Sequence, residues 1–151
     1  MLSDSLKLKG HYRIEVREHG KLIKVVELDN VLTELYRTAI INNLMSGVGG
    51  LEMKYFAVGT DDTTATANDT QLGAEIFRST PTSQQRVGNT LVTIWVLTPE
   101  QANAHLKEIG VFIGSANASL NSGTLMSRIN IDIIKTTAVE VTFKRTDFVI
   151  I

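Results

Sequence analysis

The sequence has no cysteine, only two prolines (Pro81 and Pro99) and a single tryptophan, Trp95. Without cysteine there are no disulfides, no thiolate catalysis and no cysteine-ligated zinc. The same absence leaves the cellular compartment open, since a cysteine-free chain suits reducing and oxidising surroundings alike. Neither charge is in excess: 15 Lys and Arg stand against 16 Asp and Glu, a net charge of −1. Binding to nucleic acid by phosphate neutralisation needs a basic surface, and no Lys/Arg cluster is visible, so no nucleic-acid partner is expected. No apolar run approaches the length of a membrane span, so no membrane insertion is expected. The opening residues lack an apolar core before a cleavage site, so no signal peptide is expected. A role outside a cell is then expected to be reached by assembly or lysis rather than secretion.

The chain has 151 residues, 43% hydrophobic and 21% charged, which fits one globular domain with a real core. Threonine, valine and isoleucine are plentiful, and they favour strands. Residues 9–17 alternate, with Tyr12, Ile14 and Val16 on one face and Arg13, Glu15 and Arg17 on the other. A turn at Gly20 and a return strand over 22–28 complete a β-hairpin. Thr33 is the expected N-cap of a helix carrying Leu35, Tyr36, Ala39, Ile40, Asn43 and Leu44 at helical spacing, with Gly47 as its C-cap. Its apolar stripe is expected to pack on a sheet or a neighbouring subunit. Residues 47–50 read as a flexible link.

Residues 53–58 read as a strand and 60–68 as a polar loop, after which Asp69 is expected to cap a short helical turn over 70–76. Residues 78–86 form a polar strand or extended connection, and Pro81 denies it a central place in a sheet. Residues 91–97, LVTIWVL, read as a strand buried on both faces or covered by a partner. Residues 99–106 are polar, at most one helical turn. Strands over 107–113, 124–134 and 138–150 follow, with an exposed loop at 114–123. About eight strands and one helix predict a mainly β fold: an antiparallel β-sandwich or jelly-roll-like barrel with one packed α-helix. One domain is expected over 1–151, a hairpin-plus-helix unit (9–47) joined to a strand-rich part (51–151).

Catalytic constellations are missing from the pattern. His11, His19 and His105 lie far apart and read as surface histidines. Asp61, Asp62, Asn68 and Asp69 lack calcium-loop spacing. The glycines at 47–50 follow a helix and precede a strand, the reverse of a phosphate loop. Ser79, Ser83 and Ser127 lack a nucleophile-elbow context. Glu108 and Arg128 border apolar strands and read as a structural ion pair. Trp95 reads first as core and only second, with Tyr55 and Phe56, as the lining of a sugar or peptide site. No enzyme activity, cofactor or metal is expected.

Four stretches taken together carry a resemblance. They are Asn30 with Leu44-Met45-Ser46-Gly47, then Tyr55 to Thr60 continuing through Asp69 to Glu75 and Arg78, then Glu108 to Phe112, then Gly123 to Arg128 leading into Ile134-Lys135-Thr136. In this order the chain resembles small structural proteins of tailed bacteriophages, of the tail-fibre, collar and head–tail decoration type. The resemblance implies a virion structural protein, oligomeric and without catalysis, made in the host cytoplasm. It implies partners of its own kind, trimeric by family analogy, and other phage structural proteins. Glu75, Arg78, Glu108 and Arg128 would form a charged frame pairing loops to the sandwich, and Gly59, Gly110 and Gly123 would end strands tightly. Larger family members continue into fibre repeats; this chain stops at Ile151, which favours an adaptor, collar or decoration role. The alternative is a module on the virion that recognises a host glycan or protein through loops 114–123 and 60–68. The apolar C-terminal stretch containing Phe148 is expected to be buried in the fold or at a subunit contact. Deleting residues 148–151 is expected to abolish soluble assembly.

Overall fold

A computed structural model describes residues 7–47 and 50–150. The start of the chain read for a leader, Val48 and Gly49 of the link, and Ile151 lie outside the described residues.

The strands are β1 (Lys7–Glu18), β2 (Lys21–Asp29), β3 (Tyr55–Gly59), β4 (Glu75–Ser79), β5 (Ser83–Val87), β6 (Thr90–Leu97), β7 (His105–Ile113), β8 (Thr124–Ile134) and β9 (Val139–Ile150). One helix, α1 (Glu34–Ser46), separates β2 from β3. The strands form two antiparallel sheets, a five-stranded one in the order β2-β1-β9-β6-β5 and a four-stranded one in the order β4-β3-β7-β8. The fold is therefore a β-sandwich, with a single helix among the described residues.

The core fills the space between the sheets. Tyr12, Ile14 and Val16 of β1, and Val141 and Phe143 of β9, face Phe56 and Val58 of β3 and Ile109, Val111 and Ile113 of β7. Trp95 is fully buried among Phe56, Phe77 and Phe143, with ring centroids 5.7, 6.5 and 5.2 Å away. Its indole N–H donates to Ser79 Oγ at 2.6 Å, tying the two sheets together where β4 passes into β5. The N-terminal hairpin belongs to this sandwich, since β1 pairs along its whole length with β9 of the same chain. The turn between β1 and β2 needs positive φ at both His19 (49°) and Gly20 (77°), which Gly20 adopts without steric cost.

Helix α1 has the expected caps. Thr33 Oγ1 accepts from the Tyr36 N–H at 3.1 Å, and Gly47, at φ 67°, donates its N–H to Asn43 O. The stripe packs in only half its length: Tyr36 and Ala39 are buried, whereas Leu44 and Met45 are 78% and 79% exposed.

Several expectations need correction. No helical turn follows Asp69; its carboxylate instead accepts from the Thr66 N–H and hydroxyl and takes Arg128. Residues 78–86 split between β4 and β5, with Pro81 in the corner between the two sheets, where its missing N–H costs no ladder bond. Strand β6 is buried on one face only: Thr93, Trp95 and Leu97 are buried, and the residues between them are half-buried. Residues 99–104 contain a turn but no helix, and Leu106 is fully buried in β7. Gly110 does not end a strand. It lies inside β7, where a Cβ would lie 2.7 Å from the Leu72 side chain. The C-terminal stretch, expected to be buried in the fold or at a subunit contact, is held inside the larger sheet, β9 being hydrogen-bonded to β1 on one side and β6 on the other, with Phe148 half-buried and Val149 and Ile150 exposed.

Candidate functional site

The four-stranded sheet is covered on its outer face by the two long loops, 60–74 and 114–123. Beneath them lies a second small apolar cluster of Ala57, Leu72, Phe112, Ala116 and Leu125. The charged residues singled out in the sequence hold this cover in place as two separate clamps.

The first clamp is Glu108, whose side chain is completely buried. One carboxylate oxygen accepts from Arg128 Nε at 2.9 Å and from the Gly73 N–H at 2.8 Å. The other accepts from the Asp61 N–H at 3.0 Å and the Ala74 N–H at 2.8 Å. Three backbone donors and a guanidinium thus satisfy a charge that burial alone would make costly. Arg128 continues outward to Asp69 at 3.1 Å and Asp61 at 3.6 Å. Burial by itself would lower the Arg128 pKa; its bonds to Glu108 and Asp69 outweigh that and raise it. Asn130 extends the clamp, accepting from the Ala65 N–H at 2.8 Å and donating to Thr63 O at 2.9 Å. Gly59 is required here because a Cβ would collide with Ala74 O and the Glu108 carboxylate.

The second clamp is Glu75–Arg78. The guanidinium donates to both carboxylate oxygens, at 2.6 and 2.9 Å, with both side chains buried. Its remaining nitrogen donates to Asn117 O at 3.1 Å and Ser122 O at 3.0 Å, fastening loop 114–123. The same guanidinium lies 4.3 Å from the centre of the Phe112 ring.

Of the other two residues predicted from sequence, Trp95 is core, as described above. Phe148 is half-buried and pairs with Lys9 and Thr90 in the ladder; it alternates with inward-facing Asp147 and so faces out of the sandwich.

Sequence reasoning missed a third charged group. Arg145 is fully buried between the sheets and bound to Asp147 at 2.8 Å, with further bonds to Tyr12 Oη at 3.1 Å and Ser127 Oγ at 2.7 Å. Burial lowers its pKa, and the surrounding Tyr12 and Asp147 oxygens raise it by more. The signal was present: Val141, Phe143, Arg145 and Asp147 share one parity along β9, the parity that faces the core. Lys135 was also missed. It is 2% exposed and donates to Pro99 O, Asn103 Oδ1 and Thr136 O. Its pKa is lowered by burial.

The sandwich end beside α1 holds a cavity of ≈580 Å³, lined by apolar residues including Tyr36, Leu51, Met53 and Leu91, with Asp147 and Arg86 among its polar residues. The histidines are spread over the surface; His11 faces Asp29 at 3.1 Å and His105 faces Asp132. Among the described residues no three His, Asp or Glu side chains are grouped to hold a metal ion, and no helix is long and apolar enough to cross a membrane. Compared with protein-family models, curated proteins and solved structures, the chain matches none.

Proposed function

We propose that this chain is a structural protein of a bacteriophage virion, a self-associating tail, collar or fibre-adaptor component that works by assembly and not by catalysis. The observation that carries the self-association is where the exposed apolar side chains lie. Most occupy regular elements, among them Leu22, Ile23 and Val25 on edge strand β2 and Ile41, Leu44 and Met45 on the outer half of α1, whereas Leu120 lies in a loop. Apolar side chains held on rigid elements in water mark contact surfaces. The buried clamps support the same reading. They fix both long loops flat on the sheet, giving a rigid block suited to packing against neighbours. The virion setting rests on the resemblance set out above.

The test is particle composition. Particles from a lysate of the producing host, banded to purity, are expected to contain this chain by peptide mass analysis in fixed ratio to the major structural proteins. Its absence from pure particles would overturn the virion reading. A head decoration protein is the alternative if the chain follows tail-less heads. Binding of the isolated chain to an arrayed host glycan would instead favour the receptor module.

A further inference from the structure

The two sheets have four edge strands, and they differ in what they leave open. Strands β4 and β5 are five residues each. Strand β8 is capped near its start by residues 31–33, through Arg128 N–H to Val31 O and Thr33 N–H to Met126 O. Strand β2 is nine residues long and, among the described residues, pairs only with β1. Seven of its nine residues are exposed, including Leu22 at 43%, Ile23 at 52% and Val25 at 40%. An edge of this kind is a template for another strand unless charge or a cover blocks it.

Its charges are divided lengthwise. Lys21 and Lys24 precede the middle residue, Val25, and Glu27 and Asp29 follow it. A parallel neighbour of identical sequence would set lysines against lysines and acids against acids. An antiparallel neighbour centred on Val25 sets Lys21 of each strand against Asp29 of the other, with Val25 facing its own counterpart; Lys24, whose ammonium donates to Asp132 O across the sandwich, and Glu27 fall opposite Val26 and Ile23. Antiparallel pairing is also the more stable ladder per residue. Strand β5, the other edge of the same sheet, is a poorer match. Four antiparallel steps separate it from β2, so the two run in the same direction, and a ring of copies would have to join them in parallel.

We propose that β2 is an interface for a second copy of this chain, paired antiparallel across a two-fold axis at Val25, so that the five-stranded sheets of two copies become one. This rests on the self-association reading and gives it a site and a symmetry. A two-fold contact is closed, so β2 alone makes dimers; any larger assembly uses another surface as well. A single strand pair falls below the size of a standard stable interface, so a weak dimer, with dissociation constant on the order of micromolar or above, is expected.

The test uses Val25→Lys and Val25→Glu, each studied alone and in equimolar mixture by sedimentation velocity over a range of concentrations. Because Val25 meets its own counterpart, either substitution puts like charges face to face. Each variant alone is expected to dimerise about tenfold or more weakly than the parent. The mixture is expected to recover a 1:1 heterodimer, since lysine then faces glutamate. A merely structural role for Val25 would not produce that rescue. Melting curves check folding; if either variant melts early, Lys21→Glu beside the turn is expected to weaken dimerisation and Lys21→Glu with Asp29→Lys to restore it. Three results overturn the proposal. Variants that dimerise like the parent would move self-association to another surface, such as α1, and leave the assembly reading standing. Weakened variants without rescue would reject the two-fold at Val25. A monomeric parent at all concentrations would reject the interface outright, while particle composition would still decide the virion reading.

Discussion

At the scale of residues, the buried charges of the four-stranded sheet fasten loops, while Arg145 and Asp147 hold the space between the sheets. Glu108 shows the cost of losing one such group. Glu108→Ala would leave three buried backbone N–H groups without an acceptor and take from Arg128, whose side chain is 3% exposed, its buried partner, with Asp69 and Asp61 remaining. The expected loss is about 3–5 kcal/mol, the range for breaking a buried pair by removing one partner. Urea unfolding measures it; a loss under about 1 kcal/mol would mean that the clamp behaves like a surface pair. His11 supplies a smaller, pH-dependent term. Its hydrogen bond to Asp29, helped by Glu27, raises its pKa above the ordinary 6.5 despite an opposing effect of burial. A raised pKa means that the folded chain holds the proton more tightly than the unfolded one. The stabilisation is therefore complete below the ordinary value and disappears as pH rises through the folded value. His11→Gln should cost about 0.5 kcal/mol or less at about pH 5.5 and nothing extra at about pH 8.5, because the pair is largely exposed. Thermal melts at both pH values check the sign. The sequence made Glu108 and Arg128 legible as a pair because both border apolar strands. It hid the partners of Glu108, since three of the four are backbone N–H groups that no side-chain pattern encodes.

At the scale of elements, local chemistry explains which expectations held. The α1 boundaries were readable because Thr33 and Gly47 act locally, through bonds to Tyr36 and Asn43 a few residues away. Thr33 does more than cap. Its hydroxyl also donates to Leu125 O in β8. Thr33→Ala should thus cost about 2 kcal/mol, at the upper end for caps, and the same unfolding experiment should show it. A cost of a few tenths would mean that the bond to β8 contributes nothing. The loop over 60–74 was misread for the opposite reason. Asp69 has the chemistry of an N-cap, but Arg128, 59 residues away in sequence, and Thr66 take its oxygens. A tertiary partner outbid the local one, and nothing near Asp69 signals it. The split of 78–86 into β4 and β5 was half legible, since Pro81 excluded a central strand without showing that the chain changes sheets there.

At the scale of the whole molecule, the sandwich was legible from alternation and turn spacing, and the pairing order was not. Strand β9 illustrates the gap. Its apolar end is expected to be buried in the fold or at a subunit contact, but alternation alone does not show that it lies in the middle of the larger sheet between β1 and β6. Removing residues 148–151 would therefore take ladder partners from Lys7, Leu8, Lys9 and Thr90. The deletant should fail to fold as a soluble protein, seen as aggregation during expression; a soluble deletant with the parent's strand content would contradict the ladder's importance. The outer surface then carries the proposed function: the exposed apolar residues of β2 and of the outer half of α1 are where the proposed contacts would form. Its central claim is that this chain is part of a virus particle. Immunogold electron microscopy, with antibody raised against this chain and particles from the producing host, tests it most directly. The account predicts gold at one repeated position on the tail, neck or tail tip. Intact particles without specific label, and without the chain after they are denatured, would contradict it.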